Sequence, residues 1–278
     1  MTAPSVQELC KMAGVSKSAF YEWLKRPSIT TKDELQLVSL FNEKKGKYGV
    51  RRLKMAYERR HKTPINIKKI KRIKRKFGLQ TQVRRRNKYR AVLLKGEEHT
   101  VAPNMVQRNF SPEGDLLVLS ADVTELGYRN GKKAYLFGLK ELKSRKLVYY
   151  ALKERPTIDL VMDGMGRYFE KLSAETRSKM IVHSDQGFQF TSLQFRSMLT
   201  EYGISQSMSR KGNCLDNAPI ESFFGHLKDE IDYKRCSDFG EIKKVVKQYI
   251  SYYNEKRPQW SLKRKTPAEA GVELGLVL

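Results

Sequence analysis

The chain has 278 residues, 40% of them hydrophobic, enough for one large domain with a proper core and one or two smaller ones, so disorder is not expected. No disulfide framework or CxxC pair is visible among Cys10, Cys214 and Cys236, no run nears the ~18 apolar residues of a membrane span, and no secretory leader opens the chain, so a cytoplasmic protein is expected. Lys and Arg number 55 against 30 Asp and Glu, a formal net of +25, which calls for a polyanion: nucleic acid first, a membrane surface as the weaker alternative.

The charge is concentrated at the front. Residues 1–100 hold 27 basic and 8 acidic side chains, net +19, and the rest supplies +6. SVQELCKMAGVSKSAFYEWLKRP has the shape of a helix-turn-helix, with helices over Val6–Met12 and Lys17–Leu24 and Ser16 and Pro27 as start and stop signals. Thr31 and Glu34 suggest a capping box for a helix to Lys45, closed by Gly46. YGVRRLKMAYERR and IKKIKRIKRKF read as a second helix pair across the turn HKTPIN, capped by Asn66 and stopped by Gly78. In the latter helix Ile67, Ile70, Ile73 and Phe77 form an apolar stripe. Lys68, Lys69, Lys71, Arg72, Lys74, Arg75 and Lys76 fill most of the remainder. So many like charges on one short helix repel unless phosphates neutralise them, so a DNA contact is expected over a merely solvated face. Arg84, Arg85 and Arg86 continue the basic run in a linker suited to a DNA backbone. The expected divisions are 1–46, 47–82, and a linker over 83–104.

Beyond residue 105 the pattern changes. DLLVLSADVTEL and KAYLFGLKEL read as strands joined by a hairpin at Asn130-Gly131, and KLVYYALKE as a third strand. A helix is expected from Thr157 to about Leu172, a short apolar strand over Lys179–Asp185, a helix over Ser192–Tyr202, and another starting near Pro219. Strands in series followed by alternating helix and strand predict an α/β mixed sheet flanked by helices over 105–258, with a tail over 259–278. Trp260 and the Tyr249, Tyr252, Tyr253 cluster read as helix-packing residues.

The chemistry is carried by acids. Leu116 to Leu119 form an unbroken apolar run, and Asp122 follows in the same extended segment. An isolated carboxylate there costs several kcal/mol or takes up a proton unless it is compensated. Alternation puts Val118, Ser120, Asp122 and Thr124 on one face. Asp185 ends the fourth strand before a glycine turn, where sites form in α/β sheets, and Glu221 begins a helix. Three converging carboxylates repel as bare anions but suit a divalent cation, so Asp122, Asp185 and Glu221 are the expected catalytic residues and ligands for Mg2+ or Mn2+. Asp216 and Asn217 either cap that helix or order its loop against a phosphate. His183 is either a structural histidine or a group approaching substrate on the Asp185 face. Lys228, seven residues after Glu221, is expected to touch a phosphate. His61, His99 and His226 have no zinc-like spacing with the cysteines.

The order Asp122, HSDQGFQFTS with Asp185, and SMSRKGNCLDNAPIESFFGHLKDE with Glu221 resembles bacterial insertion-sequence transposases of the retroviral-integrase superfamily. The 35 residues between Asp185 and Glu221 match that superfamily's acidic-triad spacing. YGVRRLKMAYER, INIKKIKRIKRKFGL, VAPNMVQRNF and YYNEKRPQWSLKRKTPAEA resemble the second-frame product of a two-frame element. LSADVTEL lacks the Trp usual before the first acid, and RPQW lacks the His usual after its Pro. The resemblance implies a ribonuclease-H-like core and an Asp-Asp-Glu triad holding two Mg2+ or Mn2+ ions. It also implies cleavage and strand transfer without a covalent enzyme intermediate. Implied partners are double-stranded DNA (terminal inverted repeats and target), further copies of the chain on DNA, and an upstream-frame helix-turn-helix and coiled-coil protein. No membrane is implied, and a nucleoid-associated location is. The alternatives are a DNA-binding regulator with an inactive core and a plain nuclease of the same fold.

Overall fold

The computed structural model describes residues 4–25, 30–82, 101–110, 114–210 and 214–276. Helix α1 (Val6–Met12) starts at a reciprocal Ser5–Glu8 capping box, and Ser16 Oγ accepts from Ala19 N at the start of α2 (Lys17–Lys25). Pro27 lies outside the described residues. Helices α3 (Lys32–Glu43), α4 (Val50–His61) and α5 (Ile67–Lys76) bury one shared core of Leu37, Leu40, Leu53, Tyr57, Ile70 and Ile73. The Thr31–Glu34 capping box forms, and Asn66 Oδ1 accepts from Lys68 N at the head of α5. The apolar stripe of α5 therefore faces inward, which leaves its lysines and arginines to the outside.

The remainder is built on a five-stranded sheet: β1 (Leu117–Gly127), β2 (Lys133–Glu141), β3 (Leu147–Lys153), β4 (Met180–Ser184) and β5 (Ser205–Met208). The order is β3-β2-β1-β4-β5; β1 to β3 are antiparallel, and β4 lies parallel to both β1 and β5. This is the mixed, ribonuclease-H-like sheet. Helices α6 (Ile158–Met162), α7 (Met165–Glu170) and α8 (Ala174–Ser178) lie between β3 and β4, and α9 (Phe188–Thr191) and α10 (Leu193–Glu201) between β4 and β5. Helices α11 (Ala218–Glu230), α12 (Phe239–Ser251) and α13 (Pro267–Glu273) complete the chain. Alternation sorts the two faces. Leu117, Leu119, Ala121 and Phe137 pack with Phe169, Phe190 and Phe195, whereas Leu126 and Leu136 pack with Ile220, Phe223 and Tyr253 beneath α11 and α12.

Three local features depart from the sequence reading. The helix expected from Thr157 to Leu172 is broken, because Gly164 takes a φ of +86° and Tyr149 Oη donates to Asp163 O at 2.7 Å across the break. Strand β5 was not expected: SQSM is short and polar, and only its parallel pairing with β4 makes it a strand. Residues 259–276 include α13, opened by a Thr266–Glu269 capping box and packed on the widened last turn of α12, Tyr252–Lys256.

The α3–α5 unit docks on the sheet domain through ions. Arg52 of α4 donates to both oxygens of Glu230 at 2.7 and 2.9 Å, and Arg257 reaches the same carboxylate at 2.9 Å. Arg59 pairs with Glu269, Arg264 with Glu58 at 2.9 Å, and the Tyr48 and Tyr252 hydroxyls share a hydrogen bond. Among the described residues no helix is long and apolar enough to cross a membrane.

Candidate active site

Strand β1 runs through the middle of the sheet, and its face toward α11 carries Ser120, Asp122 and Thr124. The last parallel rung between β1 and β4 pairs Ala121 with Ser184, so Asp122 and Asp185 each stand one residue beyond it on adjacent strands. Glu221 enters from the first turn of α11. Three features fix that helix against β1. Asn217 accepts from Ser120 Oγ and donates to Ala121 O at 3.1 Å, so it ties the helix start to the strand instead of capping it. Lys140 of β2, opposite Ser120, donates to Pro219 O at 2.7 Å. Gly138, opposite Asp122, leaves room for α11: a Cβ there would lie 3.3 Å from side-chain carbons of Ile220 and Phe224.

The electrostatics single out Asp122. Other buried acids are compensated. Glu141 accepts from Lys143 N, Ser144 N and Ser144 Oγ; Glu230 from Arg52 and Arg257; Asp216 from Arg108, Arg210 and Asn104. Asp122 accepts from the N–H of its own neighbour, Val123, at 2.7 Å and lies among like charges. Burial, then the Asp185 carboxylate and, more weakly, that of Glu221 push its pKa up to about 8, against the Val123 N–H and the Lys228 ammonium. Asp185 and Glu221 stand at the mouth and reach water, yet enough protein surrounds each to raise its pKa. Burial dominates in both, opposed at Asp185 by the Gly187 N–H and reinforced at Glu221 by the Asp185 charge. Asp185 Oδ1 accepts from Gly187 N at 2.9 Å, and a Cβ on Gly187 would sit 2.9 Å from that same oxygen. Asp122 thus senses the charge of both other acids, and Glu221 that of Asp185. Among the described residues, no three His, Cys, Asp or Glu side chains form a ready-made metal-binding group.

Lys228 is half-buried, with Nζ donating to Thr124 Oγ1 at 2.6 Å, which places its charge within the site beside Asp122. His183 is 1% exposed, its Nδ1 lies 2.9 Å from Ser207 Oγ, which joins β4 to β5, and burial lowers its pKa against the opposing pull of Asp216. On α5, Lys68, Lys71, Arg72 and Arg75 are exposed. Lys69 is paired with Asp33, Lys76 with Glu34 at 2.9 Å, and Lys74 donates to Thr81 Oγ1 at 2.6 Å. Arg84, Arg85 and Arg86 lie outside the described residues. The sequence reading missed Lys140 and Gly138. Their signal is a glycine and a lysine inside the apolar strand LFGLKEL, each out of place unless something packs or bonds there.

Comparison with known proteins agrees with this architecture. Two integrase core domain models match residues 114–214 and 202–267, and an HTH-like domain model matches 32–87. The chain is 37% identical to a transposase ascribed to insertion sequence element IS150 of Escherichia coli over 270 residues, covering 95% of this chain and 92% of that protein. It is 31% identical to an uncharacterised 31 kDa protein of insertion element IS600 from Shigella sonnei, covering 94% of this chain and 96% of that one. Among solved structures, the simian T-cell lymphotropic virus intasome in complex with the PP2A regulatory subunit B56 gamma aligns with 63% of this chain and 60% of its own, at 18% identity and a TM-score of 0.48. With an HTH-like helical unit and an integrase core in one chain, and relatives above 30% identity along nearly its whole length, the protein belongs to the bacterial insertion-sequence transposases.

Proposed function

We propose that this transposase binds the inverted-repeat ends of its element through the helical unit and cuts and joins DNA at Asp122, Asp185 and Glu221. The carrying observation is the frustrated carboxylate of Asp122, raised to about 8 by burial and by two further acids brought from β4 and α11. Such an arrangement is unfavourable for folding and is the signature of a site waiting for positive charge. The donor set fits Mg2+ or Mn2+, since all three side chains offer hard carboxylate oxygens. When bound, a pair of such ions supplies Lewis-acid activation of a water or DNA 3′-hydroxyl and stabilises the departing 3′ oxygen.

The protein's own part is positioning. Asp122 sits on the central strand of the sheet, which is hydrogen-bonded on both sides, to β2 and β4. Asn217 and Lys140 hold the first turn of α11, and with it Glu221, against that strand. Lys228 offsets part of the local negative charge. The exposed cations of α5 give the DNA backbone a second basic surface, and joining two ends of one element brings copies of the chain together on DNA.

Asp185→Asn is expected to abolish strand transfer of a labelled element end in Mg2+ or Mn2+ while leaving end binding unchanged. A variant that still joins DNA refutes the assignment.

A further inference from the structure

We infer that Arg108 and Arg210, organised on the buried carboxylate of Asp216, form a clamp for a DNA backbone phosphate at the mouth of the acidic site. The inference rests on the reading of Asp122, Asp185 and Glu221 as the reacting centre. Asp216 is 1% exposed and accepts from Asn104 Nδ2 at 3.1 Å, Arg108 Nε at 2.7 Å, Arg210 N and Nε, both at 3.2 Å, and Arg210 Nη2 at 3.4 Å. The Arg210 guanidinium, with Arg108 assisting, holds its carboxyl well below the usual range against the pull of burial, so it remains an anion.

What distinguishes this cluster from a structural ion pair is exposure. Glu230 also takes two arginines, but there Arg52 and Arg257 keep only 19% and 6% of their side chains exposed. Arg108 and Arg210 keep 41% and 62%. Their Nε edges are turned onto a buried anchor while much of each side chain stays in water, which pre-organises a planar donor suited to phosphate.

Their place in the fold gives this purpose. Ser209 N donates to Ser184 O at 2.9 Å and Gln186 Nε2 donates to Ser209 O at 3.0 Å, so Arg210 leaves the sheet beside the Asp185 turn. Asn217, next to Asp216, is bonded to Ser120 and Ala121, immediately before Asp122. The clamp therefore borders two of the three acids. Those acids repel a DNA strand, and fixed cations at their edge supply the attraction that brings a phosphodiester within reach. The ligand is the backbone phosphate, without base preference.

Binding of an element-end duplex by the full chain, measured across a salt series, tests this. Arg210→Gln is expected to raise the Kd several-fold and reduce the slope of log K against log salt by about one. Arg210→Lys, which keeps the charge, should restore the slope. In the unmodified protein, DNA should shield Arg108 and Arg210 from phenylglyoxal, a readout that needs no variant. An unchanged slope in Arg210→Gln, or labelling that DNA does not reduce, overturns the clamp. Failure of the triad reading shows separately, as joining by Asp185→Asn with the Arg210 salt dependence intact.

Discussion

A buried acid needs a compensating partner, and this protein treats its acids in two ways. Glu141 and Glu230 are satisfied by donors or cations; Asp122, among the described residues, has the Val123 N–H and the Lys228 ammonium set against two like-charged neighbours, which supports the proposal that it belongs to the site. Lys140 is the corresponding cation. It is 4% exposed, and burial, with the nearby Arg145 and Arg257 charges, lowers its pKa to about 7 while Nζ holds Pro219 O. The folded chain therefore releases this proton at lower pH than the unfolded chain, whose lysine titrates near ~10.4, so the unfolded state binds more protons between those values. Stability is expected to rise with pH from about 7 to about 10 through this residue, by a few kcal/mol at most. Lys140→Met should remove that rise. Denaturation midpoints for the two chains measured through this range decide it, and parallel profiles would deny Lys140 the role.

Among the elements, α5 and α11 show how one helical pattern serves two purposes. On α5 the isoleucine stripe is fully buried at Ile70 and Ile73, so the opposite face is free to carry charge. Acids of α3 neutralise Lys69 and Lys76, which the sequence pattern did not reveal because Asp33 and Glu34 stand more than thirty residues earlier. Lys68, Lys71, Arg72 and Arg75 remain exposed. Changing these to Gln together is expected to leave the melting temperature near wild type and to cut the salt dependence of DNA binding by about 0.9 in slope for each phosphate that the helix no longer neutralises. Fluorescence anisotropy across a salt series reads this directly. A slope equal to wild type would mean that DNA meets another surface. On α11 the apolar face of Ile220, Phe223, Phe224 and Leu227 is buried, and along its edge Lys228 donates to Thr124 of β1 and Glu221 senses the charge of Asp185, while Asn217, just before the helix, is bonded to β1.

At the scale of the whole molecule, Glu230 joins three parts. It ends the helix that begins beside Glu221, and it is bonded to Arg52 of the helical unit and to Arg257 near the C-terminus. Burial raises its pKa, but Arg257 and Arg52 outweigh this, so the carboxylate stays ionised and titrates below its ordinary value. Its contribution is complete above the unfolded pKa of ~4.3 and is lost as pH falls through the folded one. Glu230→Ala leaves two guanidiniums with little exposure and no counter-charge, and is expected to cost about 3–5 kcal/mol. Urea denaturation at neutral pH measures it; a destabilisation below about 1 kcal/mol would mean that the junction is screened by water like a surface pair.

The amino-acid order alone specified the elements with strong local signals: the capped helices, the α5 stripe, the hairpin, and the apolar strands whose alternation sets Asp122 on the α11 face. It also pointed to the three acids, because a carboxylate directly after an apolar run, another before a glycine turn and a third heading a helix are local facts. Where tertiary structure decided, the cause was an interaction between residues distant in the chain. The polar segment SQSM becomes β5 only against β4, the 157–172 helix breaks where Tyr149 meets Asp163, and Asn217 is drawn from capping to a bond with β1. The same holds for Lys140 at Pro219, the two arginines on Asp216 and the Glu230 junction. Long-range hydrogen bonds and ion pairs leave no period in a sequence, since either partner alone reads as an ordinary polar residue until folding brings the other within reach.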